Sequence, residues 1–220
     1  GEQELLRGRV DDPGARLHLD RADGTPATEL RPNADGSFSA RVAPGDYRLR
    51  IVAPGGRESS RTLKLVSAGV DLGLVAIEAP ARVRLPRGHA MRLVFLGENG
   101  TPDPRFGDDL LGFRVAGMED VVRTAAVRDL ALSGTASDPE SVVVAPGHYR
   151  VLATRGPEYD VSEARIEARA GESVALVITP PPRVLDTPGW ISADFHVHAA
   201  ASLDSALPEA ARVASYVAEG

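Results

Sequence analysis

The chain of 220 residues is long enough for one or two domains with a sizeable core, and 43% hydrophobic with 25% charged residues exclude a wholly disordered chain or a coiled coil. Twenty-five basic against 31 acidic side chains leave a net charge of -6, which argues against nucleic acid or an anionic membrane as partner. Cysteine is absent, so any metal must be held by His and carboxylates, and no apolar run approaches the ~18 residues of a membrane span. From the start, short runs alternate apolar and polar positions: Leu6 to Val10, Arg16 to Leu19, Ser37 to Val42, Tyr47 to Val52, Arg61 to Val66 and Val70 to Ile77. Period-two patterning bounded by turn residues predicts half-buried strands. The turns are supplied by Asp12-Pro13-Gly14, Ala22-Asp23-Gly24, Ala34-Asp35-Gly36 and Ala53-Pro54-Gly55-Gly56, where Gly tolerates positive φ and Pro presets its own. Six or seven short strands without helical periodicity predict a sandwich of two antiparallel sheets over residues 1–79.

A boundary falls near Glu78-Ala79-Pro80, and the design then repeats. Val42-Ala43-Pro44-Gly45-Asp46-Tyr47-Arg48-Leu49 returns as Val144-Ala145-Pro146-Gly147-His148-Tyr149-Arg150-Val151, an offset of 144 − 42 = 102 residues. That spacing is a domain repeat and not a solenoid period. Both tyrosines are framework residues, with rings expected to cover the sheet edge and hydroxyls to stay wet. A second sandwich is therefore predicted over 80–182, with strands at Ala81 to Leu85, Met91 to Leu96, Ser141 to Val144, Tyr149 to Thr154, Glu163 to Ala168 and Ser173 to Ile178. Residues 97–140 form an irregular insertion whose pattern decides nothing, although Met118 to Leu132 has room for strands or a short helix. Thr179-Pro180-Pro181-Pro182 then predicts an extended, semi-rigid linker. His18, His89 and His148 each stand without a neighbouring ligand and are taken as ordinary strand or loop residues.

Chemistry concentrates after the prolines. Trp190-Ile191-Ser192-Ala193-Asp194-Phe195-His196-Val197-His198 has the period of a strand, which would project both imidazoles from one face, with Asp194 on that face as well. Two imidazoles so placed suit one borderline metal. Ser202-Leu203-Asp204 follows in a small-residue loop able to return a carboxylate. Pro208 opens a predicted helix whose Ala211, Val213, Ala214, Tyr216 and Val217 gather towards one side before Gly220.

Two family resemblances attach to these motifs. Gly8-Arg9-Val10, Asp35-Gly36-Ser37-Phe38 and Ala43-Pro44-Gly45-Asp46-Tyr47 resemble carboxypeptidase regulatory-like domains, transthyretin-like or Cna-B-like β-sandwiches, which implies a spacer, positioning or partner-binding role for residues 5–79. The stretch from Trp190 to Asp204 is similar to the first motif of the PHP (polymerase and histidinol phosphatase) metallohydrolases, in the branch with carbaryl-hydrolase-like members. That resemblance covers about residues 186–220. It implies His196, His198 and Asp204 as metal ligands, Asp194 as a residue supporting them, a zinc, manganese or iron cofactor in the complete protein, and hydrolysis of phosphoesters or related esters.

The expected fold is thus mainly β: two tandem Ig- or transthyretin-like sandwich modules, then over 183–220 a linker with the first strand and helix of a truncated PHP-type barrel. Such a barrel needs on the order of 200 to 250 residues. The chain starts at Gly1 and stops after one β-α unit, so it is expected to be a processed or partial chain, inactive by itself, with no complete catalytic set and with the rest of the barrel or another protein chain as partner. The alternative is a structural or interaction module that assembles with itself, as a homo-oligomer, or with another chain through its β-domains and C-terminal strand. Tandem sandwiches favour an exported protein, periplasmic or extracellular; metal binding by this chain alone stays open.

Overall fold

The computed structural model describes residues 3–106, 128–202 and 207–220. The chain divides into two compact units, Gly1–Ala79 and Pro80–Gly220. In the first, strands β1 (Glu4–Val10), β4 (Ser37–Val42) and β7 (Val70–Val75) form one sheet in the order β4-β1-β7. The other sheet contains β2 (Arg16–Arg21), β3 (Pro26–Leu30), β5 (Gly45–Ala53) and β6 (Arg57–Leu65) in the order β3-β2-β5-β6. Pairing is antiparallel except between β1 and β7, which run parallel.

The second unit repeats this topology strand for strand. One sheet is β11 (Ser141–Val144), β8 (Ala81–Arg84) and β14 (Ser173–Ala175) in the order β11-β8-β14, with β8 and β14 parallel. The other is β10 (Asp129–Ser133), β9 (Ala90–Glu98), β12 (Gly147–Thr154) and β13 (Ser162–Ala168) in the order β10-β9-β12-β13. Alternation along each strand sends one side chain in two to the core. Leu6, Leu17, Leu19, Leu49, Ile51 and Leu65 close the first core; Val83, Met91, Leu93, Phe95, Tyr149 and Val151 close the second.

The repeated motif has the same construction in both units. Tyr47 donates its hydroxyl to the Ala43 carbonyl at 2.7 Å, and Tyr149 donates to the Ala145 carbonyl at 2.8 Å. Both rings are buried. The hydroxyls are therefore not wet, because each satisfies a carbonyl of the turn four residues upstream, which a ring lying over the core can reach without water. Burial also pushes the Tyr149 hydroxyl far above its ordinary pKa, with the Asp103 carboxylate acting in the same direction.

Arg57 is the buried charged residue of the first unit, at 5% exposure. Its Nε donates to the Pro54 carbonyl at 3.1 Å, one terminal nitrogen to the Glu78 carbonyl at 2.9 Å, and the other pairs with the Asp12 carboxylate. The fork closes the β5–β6 corner onto the loop after β1 and onto the end of the unit. At the β3–β4 turn, Gly36 has φ +82°, and a Cβ there would collide with the Val10 carbonyl, so the turn requires glycine.

Four expectations change here. Pro26–Leu30 is a strand, and β6 begins at Arg57 and not at Arg61. Residues 190–198 contain no strand. A single alternating run has no neighbour to complete its backbone hydrogen bonds, and period alone does not provide one. Finally, helix α1 (Glu209–Glu219) is not the second half of a β-α unit: it packs against β9 and β10, with Ala218 fully buried and the Glu219 carboxylate 2.6 Å from Arg92 Nε. The chain thus ends in a lone helix laid on the second sandwich, and the truncated barrel is not present among the described residues. Residues 107–127, about half of the insertion, lie outside the described residues.

Candidate functional site

The stretch after the prolines is tied down at its start. Asp160 N–H donates to the Pro182 carbonyl at 2.9 Å, Val184 N–H to the Glu158 carbonyl at 2.8 Å, and Arg183 pairs with the Glu158 carboxylate at 2.6 Å. Beyond it the chain runs over the surface, and Trp190, Ile191 and Phe195 are 82%, 91% and 97% exposed. Further along, α1 holds it again. Arg212 Nε donates to the His198 carbonyl at 3.0 Å, and the Tyr216 hydroxyl donates to Asp194 Oδ2 at 3.0 Å.

This brings three of the four expected site residues together. Asp194 accepts the His196 backbone N–H at 3.0 Å through its other oxygen. The two imidazoles face each other, Nε2 to Nε2 at 2.7 Å, with ring centroids 4.7 Å apart. The His196 N–H and the Tyr216 hydroxyl hold the Asp194 carboxyl below the usual carboxylate range, against a small effect of burial, with the Arg212 guanidinium acting in the same direction. Each Asp194 oxygen thus accepts one hydrogen bond, and the bond from the His196 N–H shapes the turn before that residue. Asp204 lies outside the described residues.

At 2.7 Å the two Nε2 atoms stand at hydrogen-bonding distance, with the donor set by the tautomers of the two rings. For a tetrahedral ion with Zn–N bonds of ~2.0–2.1 Å, they would have to move apart by roughly half an ångström, within reach of side-chain rotation. They then fill two of four positions. Among the described residues no group of three His, Cys, Asp or Glu side chains is placed to hold a metal ion, so no catalytic step is derived through one. Two residues complete this region: Arg212, which the sequence did not single out, and Tyr216, expected only as part of the helix's apolar side. Their four-residue spacing on a helix, which puts both on one face, was the available signal.

No family model matches the chain, and no curated protein matches it. Among solved structures it is similar to the Bacillus anthracis TIE protein, at 12% identity and a TM-score of 0.33, over 83% of this chain and 35% of that one. The chain thus spans about a third of that protein's length. It is also similar to a DUF3823 family protein from Bacteroides ovatus, at 12% identity and a TM-score of 0.29, over 76% of this chain and 96% of that one. Another DUF3823 family protein, from Parabacteroides merdae, aligns at 15% identity and a TM-score of 0.26, over 77% and 98%. These neighbours are β-sandwich proteins, and no PHP protein or hydrolase stands among them. The two family resemblances read from the motifs are corrected on the chain's own structure. The PHP one fails on the missing strand and on the helix docked to a sandwich, and the regulatory-like one reduces to mainly-β architecture with sandwich modules. No described helix is long and apolar enough to cross a membrane.

Proposed function

We propose that this chain is a structural or binding module, built of β-sandwiches, that assembles with another chain or a second copy through the segment 190–198 and the adjoining face of α1. The observation that carries this reading is the exposure of Trp190, Ile191 and Phe195. Together they present on the order of 500 Å² of largely apolar surface, at the upper end of what a monomer leaves open. Val213 and Val217 on α1 add to it. Two bonds from α1 hold this surface next to the second sandwich, so it is displayed by a folded support. An extracellular or periplasmic setting belongs to the same reading, since tandem sandwich modules suit exported proteins.

Sedimentation velocity of wild type and Phe195→Ser, combined with a photo-crosslinking side chain at position 195, tests it. Concentration-dependent association or a specific crosslinked adduct, lost in Phe195→Ser, is the expected result. A chain that stays monomeric and crosslinks to nothing would sink it.

The facing Nε2 atoms favour a second reading, in which His196 and His198 take one divalent cation, with Asp194 holding the turn. Zinc titration of wild type by calorimetry, compared with the His196→Ala, His198→Ala double variant, decides it. Equal zinc binding by both proteins would refute the assignment.

A further inference from the structure

The first unit carries a groove of about 740 Å³ where the β2–β3 hairpin rises beside the start of β5 and the end of β6. Its wall residues include Asp20, Arg21, Asp23, Asp46, Arg48 and Lys64, three cations and three carboxylates. The strand register sets Asp20 directly opposite Arg48, and Asp46 directly opposite Lys64. Cross-strand neighbours of opposite charge ordinarily close on each other. On this same sheet Arg16 and His18 do so with Glu29, at 3.8 and 3.6 Å. In the second unit, Arg150 and Arg165 engage Glu98 and Glu163 in a continuous ladder.

In the groove those pairs are not made. Asp20, Asp46, Arg48 and Lys64 form no ion pair or side-chain hydrogen bond among the described residues, so donors and acceptors of both kinds stand open to solvent. Asp23 is the exception, with its carboxylate taken by the Thr25 N–H and hydroxyl at 2.9 and 2.7 Å. The floor is firm, because Tyr47 is locked by its bond to Ala43 and the Ala22 N–H donates to the Asp46 carbonyl at 3.1 Å.

We propose that this groove binds a neutral polyhydroxylated ligand, a saccharide; the proposal rests on the reading of the chain as a binding module and lies on a different surface from segment 190–198. Balanced charge gives an ionic ligand no net attraction, whereas vicinal hydroxyls both donate and accept. They can donate to Asp20 and Asp46 while accepting from Arg48 and Lys64, which satisfies ligand and wall together.

The test is a 15N-amide titration of the whole chain with cellohexaose, xylohexaose, mannohexaose, maltohexaose and chitohexaose, with a sulfated heparin hexasaccharide as the charged comparison. At least one neutral oligomer is expected to shift the amides of 20–24, 46–48 and 62–64, and Arg48→Ala or Asp46→Ala to weaken that binding about tenfold or more, as loss of a charge-assisted hydrogen bond requires. Both side chains are exposed, so the variants fold, and the unchanged amides of the core strands verify it. Three results overturn the proposal: no groove shift with any neutral oligomer at millimolar concentration, shifts confined to residues outside the groove, or binding by the sulfated hexasaccharide alone. None of these bears on association through Phe195, which the sedimentation experiment reads separately.

Discussion

Removing the Arg57 side chain should lower the unfolding temperature of the first unit and leave that of the second unchanged. The guanidinium is desolvated and serves three acceptors: the carbonyls of Pro54 and Glu78 and the Asp12 carboxylate. In Arg57→Ala the two carbonyls lose their donor within the corner, at ~1–3 kcal/mol each where water cannot replace it. Asp12 is 26% exposed and regains part of its hydration, so it adds less than a fully buried partner would. The total is about 3–4 kcal/mol, within the ~3–5 kcal/mol found when one partner of a buried ion pair is deleted. For a unit of this size that corresponds to a fall of roughly 15–25 °C in Tm. Because each unit has its own core, calorimetry should resolve two transitions, with the upper or lower one moving alone. Arg57→Lys keeps the charge but cannot span three divergent acceptors, and should lose about half as much. A cost below about 1 kcal/mol for Arg57→Ala, or wild-type stability in Arg57→Lys, would refute the account of the corner as a fork.

Tyr149→Phe keeps the ring and removes the donor to Ala145, so urea unfolding of the second unit should show a loss of about 1–2 kcal/mol; no loss would mean the carbonyl finds another donor. Burial raises the Asp129 carboxyl above its unfolded value, against the pull of Arg92 and Arg128 and with the push of Glu219. Its ionised form is then penalised in the fold, so the second unit should gain stability as pH falls through that raised value towards the unfolded one, the penalty being fully present at neutral pH. Asp129→Asn should raise Tm at pH 7 and flatten the dependence, and a lower Tm would count against this. Gly156 sits at φ +82° where a Cβ would strike the Glu219 carbonyl. Gly156→Ala should therefore free the last turn of α1, seen as faster amide exchange there with the β9 and β12 amides unchanged; equal protection of α1 in both proteins would contradict the docking.

What could be read from the sequence depended on how many neighbours each residue needs. Strands such as β5 and β12 declare themselves because Tyr-x-Leu-x-Ile and Tyr-x-Val-x-Ala bury alternate side chains against a complete sheet. Edge strand β3 was missed: it starts on a proline, has no fully buried residue, and its pattern is therefore nearly silent. The reverse error arose at Trp190 to His198, where alternation as clean as any in the chain meets no partner strand. Pairing is a property of two segments, and a single run encodes only its own half. The proximity of His196 and His198 was legible from their spacing, but the part played by Arg212 and Tyr216 depended on where α1 docks. Arg57 reads locally as an ordinary residue after a Gly-Gly turn, and its burial depends on Asp12 and Glu78, far away in sequence.

Lys64 is the only lysine in the chain, and it stands at the mouth of the first unit's groove. Apart from the α-amino group, the protein therefore offers amine-directed reagents a single side-chain target. Coupling to an amine-reactive sensor surface would orient a large share of the molecules with the groove against the support and its ammonium consumed. A binding screen run that way would return silence for a reason unrelated to affinity. Conversely, the rate at which Lys64 is acylated reports on whatever occupies the groove, read from one peptide by mass spectrometry.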